Sequence, residues 1–359
     1  MDAARETSNV LALPPRRICI VRLSALGDCT LVLPTIHSLR HAFPHTEISW
    51  IIGCSTYRLV KGLPGVDFIP IQKPSTPHDL LNLHHQLRGH MFDVVLAMQA
   101  SLRTNLIYPL LRAPRKIGFD AQRGRDGHGL FVNERIPFAR EHLLDSFFSF
   151  AHALGVQHKR VEFGIPLNED ELAFGYKIAY EARRPLLAIN AAASKPERNW
   201  TVEGYVDTLR AAQSRWDAHV VLTGSSADAD RELGDAIIPH LTGPYTNLIG
   251  RTTPKQLASI LKSAKCLVAP DTGPTHIAVA VGTPVVGLYA VAPPELSGPY
   301  LYPHLVVNKF PEAVRTLLGK DPATVPWGTR VHDPRAMALI KVEEVIAKLA
   351  LVFGTPSGL

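Results

Sequence analysis

Three short stretches of the chain combine residue types that handle protons and anions. The first is Ser24-Ala25-Leu26-Gly27-Asp28, where a glycine permits a tight turn and a carboxylate follows at once. A carboxylate placed there can take a proton from a substrate hydroxyl as general base. The same spacing suits a helix N-cap, which contributes about 1 kcal/mol. The second is Asp271-Thr272-Gly273-Pro274-Thr275-His276, ahead of the small-residue run Ile277-Ala278-Val279-Ala280-Val281. A helix start of this kind turns free N–H groups and a positive dipole end toward an anion. Thr272 and Thr275 add hydroxyl donors, and His276 adds an imidazole; the alternative is a capped helix with a satisfied histidine. The third runs from Asn190-Ala191-Ala192-Ala193-Ser194 to Lys195, Arg198 and Trp200. Small side chains let a bulky ligand approach the backbone, and Arg198 has the charge and forked shape to neutralise a diphosphate. The alternative there is an exposed basic loop. Trp200 reads as an apolar anchor for the next helix in either case.

Each stretch must be positioned by the element before it, and each follows a short apolar run. Arg17–Leu23 reads as a buried strand before Ser24, and 30–43 reads as a helix carrying Leu31, Ile36 and Leu39 on one face. Further strands are expected at 47–53, 66–71 and 93–98, with a weaker one at 116–119. A second series has strands at 185–190, 219–224, 265–270 and 284–289, with a helix over 202–215. Continuous apolar strands alternating with helices indicate parallel sheets covered on both faces. The expectation is therefore an α/β protein of two Rossmann-like domains. They would span 17–170 and 185–341, joined by a linker at 171–184, with a closing helix and tail at 342–359 that can pack on either domain. In such sheets ligands bind beyond the carboxyl ends of the strands, where all three stretches lie. The turn after the first strand lacks the second and third glycines of a GxGxxG dinucleotide fingerprint, which argues against a simple NAD enzyme.

Composition narrows the class. With 359 residues, 46% hydrophobic and 19% charged, the chain is long and apolar enough for two globular cores. Its four cysteines, at 19, 29, 54 and 266, show no CxxC spacing, which suits a reducing cytoplasmic compartment. No apolar run reaches the roughly 18 residues of a membrane span. Residues 1–16 lack a signal-peptide core and are expected to form a disordered leader. A net charge of +6 favours anionic partners, or is no more than a solvated basic surface. No basic tract interleaved with aromatics points to nucleic acid. The sequence does not specify an oligomeric state, and a monomer is the expectation.

Taken in order, Ile18–Pro34 with its Ser24–Asp28 turn, Arg198-Asn199-Trp200, and Asp271–His276 with Gly282-Thr283-Pro284 resemble the ADP-heptose:lipopolysaccharide heptosyltransferases of glycosyltransferase family 9. The likeness covers about residues 17–300. It implies a GT-B fold, in which two Rossmann-like domains face each other across a central cleft. The first would bind a lipid-linked oligosaccharide acceptor at the inner-membrane face, and the second a nucleotide-sugar donor, ADP-heptose. It implies Asp28 as catalytic base, with Ser194, Arg198, Asp271, Thr272, Gly273 and His276 on the donor. Arg103 falls on the acceptor side, with Arg123 or Arg125 as a further basic residue there. It implies no metal and no cofactor. Two departures stand out: the family commonly has Lys where Arg198 stands, and Gly-Pro-Thr where this chain has Ala290-Val291-Ala292.

The chemistry so implied is a single, inverting displacement at the anomeric carbon. Asp28 takes the acceptor proton, while Arg198, backbone N–H groups near Thr272 and Gly273, and His276 meet the charge on the leaving diphosphate. The competing readings are a GT-B transferase with another nucleotide sugar or a protein acceptor, a nucleotide-sugar epimerase that needs no acceptor, and a non-catalytic nucleotide-binding protein.

Overall fold

The computed structural model describes residues 14–354. Residues 1–13 of the expected leader and 355–359 of the tail lie outside the described residues. Pro15 and Arg16 are already held, since the Thr46 hydroxyl donates to the Pro15 carbonyl and the Arg16 N–H to Asp93.

The first half runs β1 (Arg17–Val21), α1 (Leu26–Thr30), α2 (Leu33–Ala42), β2 (Glu47–Gly53), α3 (Cys54–Val60), β3 (Asp67–Ile71), α4 (Pro77–Leu87), β4 (Val94–Leu96), α5 (Leu102–Asn105), β5 (Arg115–Gly118), β6 (Glu134–Arg135) and α6 (Leu143–His152). Helix α7 (Glu169–Ala182) leads to the second half. That half comprises β7 (Leu186–Asn190), α8 (Val202–Trp216), β8 (His219–Thr223), α9 (Asp228–Ile237), β9 (Tyr245–Asn247), α10 (Pro254–Ser263), β10 (Cys266–Pro270), α11 (Gly273–Ala280), β11 (Val285–Tyr289), α12 (Pro294–Ser297), β12 (Val307–Asn308), α13 (Phe310–Leu318) and α14 (Val342–Phe353).

The strands form two six-stranded parallel sheets, ordered β3-β2-β1-β4-β5-β6 and β12-β11-β10-β7-β8-β9. Counted within its own half, each has the order 3-2-1-4-5-6. The direction in which strands are added to the sheet therefore reverses between β1 and β4, and again between β7 and β10. A crevice opens at the carboxyl ends of the strands at each such switch point. The loops that flank these crevices contain all three chemical stretches.

Every residue of β7, β10 and β11 is buried, as a sheet covered on both faces requires. The helix expected at 30–43 is α2, which starts three residues later, at Leu33, because Pro34 has no N–H to give a preceding turn and sits in its first turn. A separate short helix, α1, carries Asp28. The edge strands β6, β9 and β12 are two or three residues long and lack an apolar run, so their pattern is silent. Helix α14 packs on the second half, where Val345 and Leu349 join its core. Among the described residues no helix is long and apolar enough to cross a membrane.

The two halves are packed together. One apolar cluster runs from Ile18, Ile36 and Phe147 to Leu186, Ala258 and Ile277. At the seam, His142 accepts from the Leu144 N–H and donates to the Gly298 carbonyl at 3.0 Å, and burial holds its pKa down to about 4. The Tyr300 hydroxyl donates to Asp145 (2.9 Å) and accepts from Lys159 (2.7 Å). The stretch expected as a linker is α7, which lies on α10. The Gly175 N–H donates to the Ser259 hydroxyl, and a methyl group on Gly175 would overlap the Ser259 carbonyl. In an open helix Gly→Ala stabilises by about 1 kcal/mol. Here Gly175→Ala is expected to destabilise by about 1–3 kcal/mol, read as a lower Tm in calorimetry; an unchanged or raised Tm would refute the close packing.

Candidate functional site

The turn after β1 is built around a buried arginine. Arg22 is only 9% exposed. Its Nη1 donates to the Met98 carbonyl at 2.9 Å and its Nη2 to Asp28 Oδ2 at 2.5 Å, while its guanidinium lies 5.1 Å from the centre of the Phe147 ring. Gln99, after β4, accepts from the N–H groups of Leu23 (2.7 Å) and Ser24 (3.2 Å), which ties the two loops of the first switch point together. Asp28 is not the N-cap of α1, a position that Ala25 takes without any side-chain bond. The Asp28 carboxylate instead pairs with Arg22 and remains about a third exposed. Burial works to raise its pKa. The Arg22 charge, the nearby His276, the Ala25 N–H and the Arg22 hydrogen bond together outweigh that and hold it below the usual carboxylate range.

The second switch point is organised around Asp271, at the end of β10. Its Oδ2 lies 3.3 Å from Arg198 Nη1 and 3.6 Å from Arg330 Nη1, and its Oδ1 accepts from the Ser297 hydroxyl at 3.2 Å. Arg198 also donates to the Asp271 carbonyl. Thr272 is the N-cap residue of α11 and makes no side-chain cap bond. Thr275 is fully buried and donates to the Pro270 carbonyl at 2.8 Å, so its hydroxyl serves the turn rather than the crevice. The 190–200 loop is shaped by Asn199, which accepts from the Ala193 N–H at 2.7 Å. Ser194 is exposed at its tip. Trp200 is buried and donates to the Ile340 carbonyl, so it is an anchor, as its type suggested.

These two turns meet. A methyl group on Gly27 would come within 2.6 Å of the Gly273 Cα and 2.9 Å of His276 Cδ2. Asp28 and His276, from opposite halves, are thereby close enough for the imidazole to bear on the carboxylate. His276 is 3% exposed, and its Nδ1 has no partner. Among the described residues, six buried side-chain nitrogen or oxygen atoms lack a hydrogen bond, and four belong to Arg22, Arg198, His276 and Arg330. Buried donors are normally paired. Their concentration around the two meeting turns leaves polar groups there that a ligand or water can satisfy.

On the first-half side, Lys73 donates to the Ser24 hydroxyl at 2.5 Å. Partial burial, then the charges of Arg22 and Arg103, lower its pKa. Arg103 is exposed at the start of α5. Arg123 is not free: it pairs with Asp120 and Glu141, donates to Ser146 Oγ and the Pro137 carbonyl (2.6 Å each), and faces the rings of Phe119 and Phe138. Arg125 is exposed, with a charge that reaches Arg330 in the other half. Of the two arginines the resemblance left open, Arg125 is therefore the one whose guanidinium is available.

The family profile of glycosyltransferase family 9 (heptosyltransferase) matches residues 80–312, well over half of the chain. The chain belongs to glycosyltransferase family 9. This glycosyltransferase is 34% identical over 337 residues to the lipopolysaccharide core heptosyltransferase OpsX of Haemophilus influenzae, covering 93% of this chain and 96% of that one. It superposes with a TM-score of 0.76 on a family 9 glycosyltransferase from Veillonella parvula, at 20% identity, over 94% of this chain and 97% of that chain. With the ADP-heptose lipopolysaccharide heptosyltransferase II of Escherichia coli the TM-score is 0.69, at 18% identity, over 94% and 98%. The two sheets of this transferase thus form a GT-B-like fold.

The sequence reading of this glycosyltransferase missed three residues in the crevice. Arg22 left a signal, as a charge at the end of an otherwise apolar strand, six residues before Asp28. Lys73 and Arg330 left none, because each is brought in from a loop without motif spacing. The Arg22–Asp28 pair sets a pH dependence. A carboxylate depressed in this way stays ionised until the pH falls below the ordinary carboxylate range, so if its ionised form is needed for turnover the acid limb of kcat/KM lies low. In Arg22→Met the opposing charge is gone while burial remains, and the limb is expected at higher pH. An unmoved limb would show that Asp28 is not the group titrating.

Proposed function

We propose that this transferase moves a heptose from ADP-heptose to the inner core of lipopolysaccharide, with inversion, without a metal, and with Asp28 as general base. The observation that carries the reading is the meeting of Asp28 with the Asp271–His276 turn across the two switch points. The 34% identical relative is named a lipopolysaccharide core heptosyltransferase, which favours this donor and acceptor over other nucleotide sugars.

In the proposed step the acceptor oxygen attacks the anomeric carbon and gives its proton to the Asp28 carboxylate. The new C–O bond forms as the bond to the diphosphate breaks, and ADP leaves with the electron pair. Arg198, the N–H groups at the start of α11 and His276 meet its charge, the kind of fixed electrostatic support that often dominates catalysis. A general base contributes ~10²–10⁴-fold. Asp28→Asn keeps the shape but cannot take the proton. It is expected to lose transfer by about that factor while still gaining thermal stability from ADP. Near-normal turnover in this variant would end the base assignment, and stabilisation of wild type only by UDP- or GDP-sugars would end the heptose reading.

We also propose that the acceptor side lies at a bilayer face. What supports this is a basic, apolar surface beside Arg103 and Arg125. Leu102 and Leu130 are 59% and 86% exposed there. Hydrogen bonds from the Leu102 N–H to Asp126, and from Asn105 to the Arg125 and Asp126 carbonyls, tie these loops together. Exposed leucines with flanking arginines suit an anionic headgroup layer. Co-sedimentation with vesicles containing phosphatidylglycerol is expected, with loss in Leu130→Glu; equal behaviour with purely zwitterionic vesicles would refute it.

A further inference from the structure

The segment 319–335, between α13 and the turn before α14, lies outside every motif and carries Arg330 into the donor crevice. It leaves α13 at Gly319, where φ is +63°, and is fastened at two points. The Val331 N–H donates to the Val291 carbonyl at 2.8 Å with the Val331 side chain fully buried, and His332 contacts Glu197 at 3.0 Å, beside Arg198. Arg330 stands next to the first fastening and so is aimed by it.

What Arg330 meets there does not satisfy it. One Asp271 oxygen is shared by Arg198 at 3.3 Å and Arg330 at 3.6 Å, and the other oxygen is taken by Ser297. Neither guanidinium has the two parallel short bonds of a good arginine–carboxylate pair. Arg330 Nη1 and Arg198 Nε are buried with no hydrogen-bond partner. Burial, then the neighbouring Arg198 charge, holds the Arg330 pKa below the ordinary arginine value, with Arg125 from the opposite half adding to the repulsion. One carboxylate shared by two guanidiniums leaves a positive charge unbalanced there, which a dianionic nucleoside diphosphate sugar would meet.

We propose that Arg330 is a second diphosphate-binding residue, delivered by the 319–335 segment. It grips the leaving nucleoside diphosphate together with Arg198, while Asp271 keeps both guanidiniums aimed when no nucleotide is bound. The inference rests on the donor reading above and adds a contact from a part of the chain that carries no motif.

The test is isothermal titration of the intact protein with ADP, UDP and GDP, and with the nucleoside of whichever binds best. Arg330→Ala is expected to weaken the diphosphate tenfold or more and to leave the nucleoside unchanged. Arg330→Lys, which keeps a charge, recovers part of the loss, and Arg330→Gln recovers none. Should the alanine variant lose its melting transition, the lysine and glutamine variants carry the comparison. Unaltered diphosphate affinity in Arg330→Ala overturns the inference alone, as does a nucleoside weakened as much as the diphosphate, which would make Arg330 a packing residue. Wild type that binds none of the three diphosphates overturns this inference and the donor reading together.

Discussion

The backbones of Gly27 and Gly273 touch at the point where the turn after β1 meets the turn after β10, and there is no room at Gly27 for even one methyl group. That contact sets the register of the two halves. It brings α1 against α11, puts Asp28 beside His276, and aligns the two switch-point crevices so that groups from both can act on one molecule. A larger residue at Gly27 would push the carboxylate away from the start of α11. Reactions that depend on near-attack geometry are sensitive to displacements of this kind.

Around this contact the charge is held out of balance. Arg22 keeps Asp28 ionised, at the cost of making it a weaker base than an unpaired carboxylate. Arg198 and Arg330 share a single acidic partner. Donors buried without acceptors cost free energy in the empty protein, and a diphosphate would supply those acceptors. The crevice is thus less stable without its ligand than a fully paired one would be, which is how a site gains differential affinity for a dianion over water.

Much of the architecture could be read from pattern. The apolar runs located β1, β2, β4, β7, β8, β10 and β11, because strands buried on both faces must be continuously apolar; the edge strand β3 and β5, which opens on Arg115-Lys116, left weaker runs. The edge strands β6, β9 and β12 were silent, since strands of two or three residues need no apolar run. The later start of α2 was available in principle from Pro34. The connection at 171–184 read as a polar, helix-prone linker and is largely covered by α7; its seat on α10, which depends on Gly175 lying against the Ser259 carbonyl, was not visible in the pattern.

For the site, residue type and spacing along the chain determined the candidates: a carboxylate after the first strand, and an anion-facing helix start about 240 residues later. Those are local properties, set by turn chemistry and by the rule that strands end at the crevice. Tertiary structure decided which of these groups share one space. It placed Asp28 on Arg22 instead of on a helix cap, occupied Arg123 with its own neighbours, spent the Thr275 hydroxyl inside its turn, and drew in Lys73 and Arg330 from unmarked loops. Spacing along a chain cannot carry that information, because the distances and burial that fix charge and hydrogen bonding exist only once the two halves have packed together.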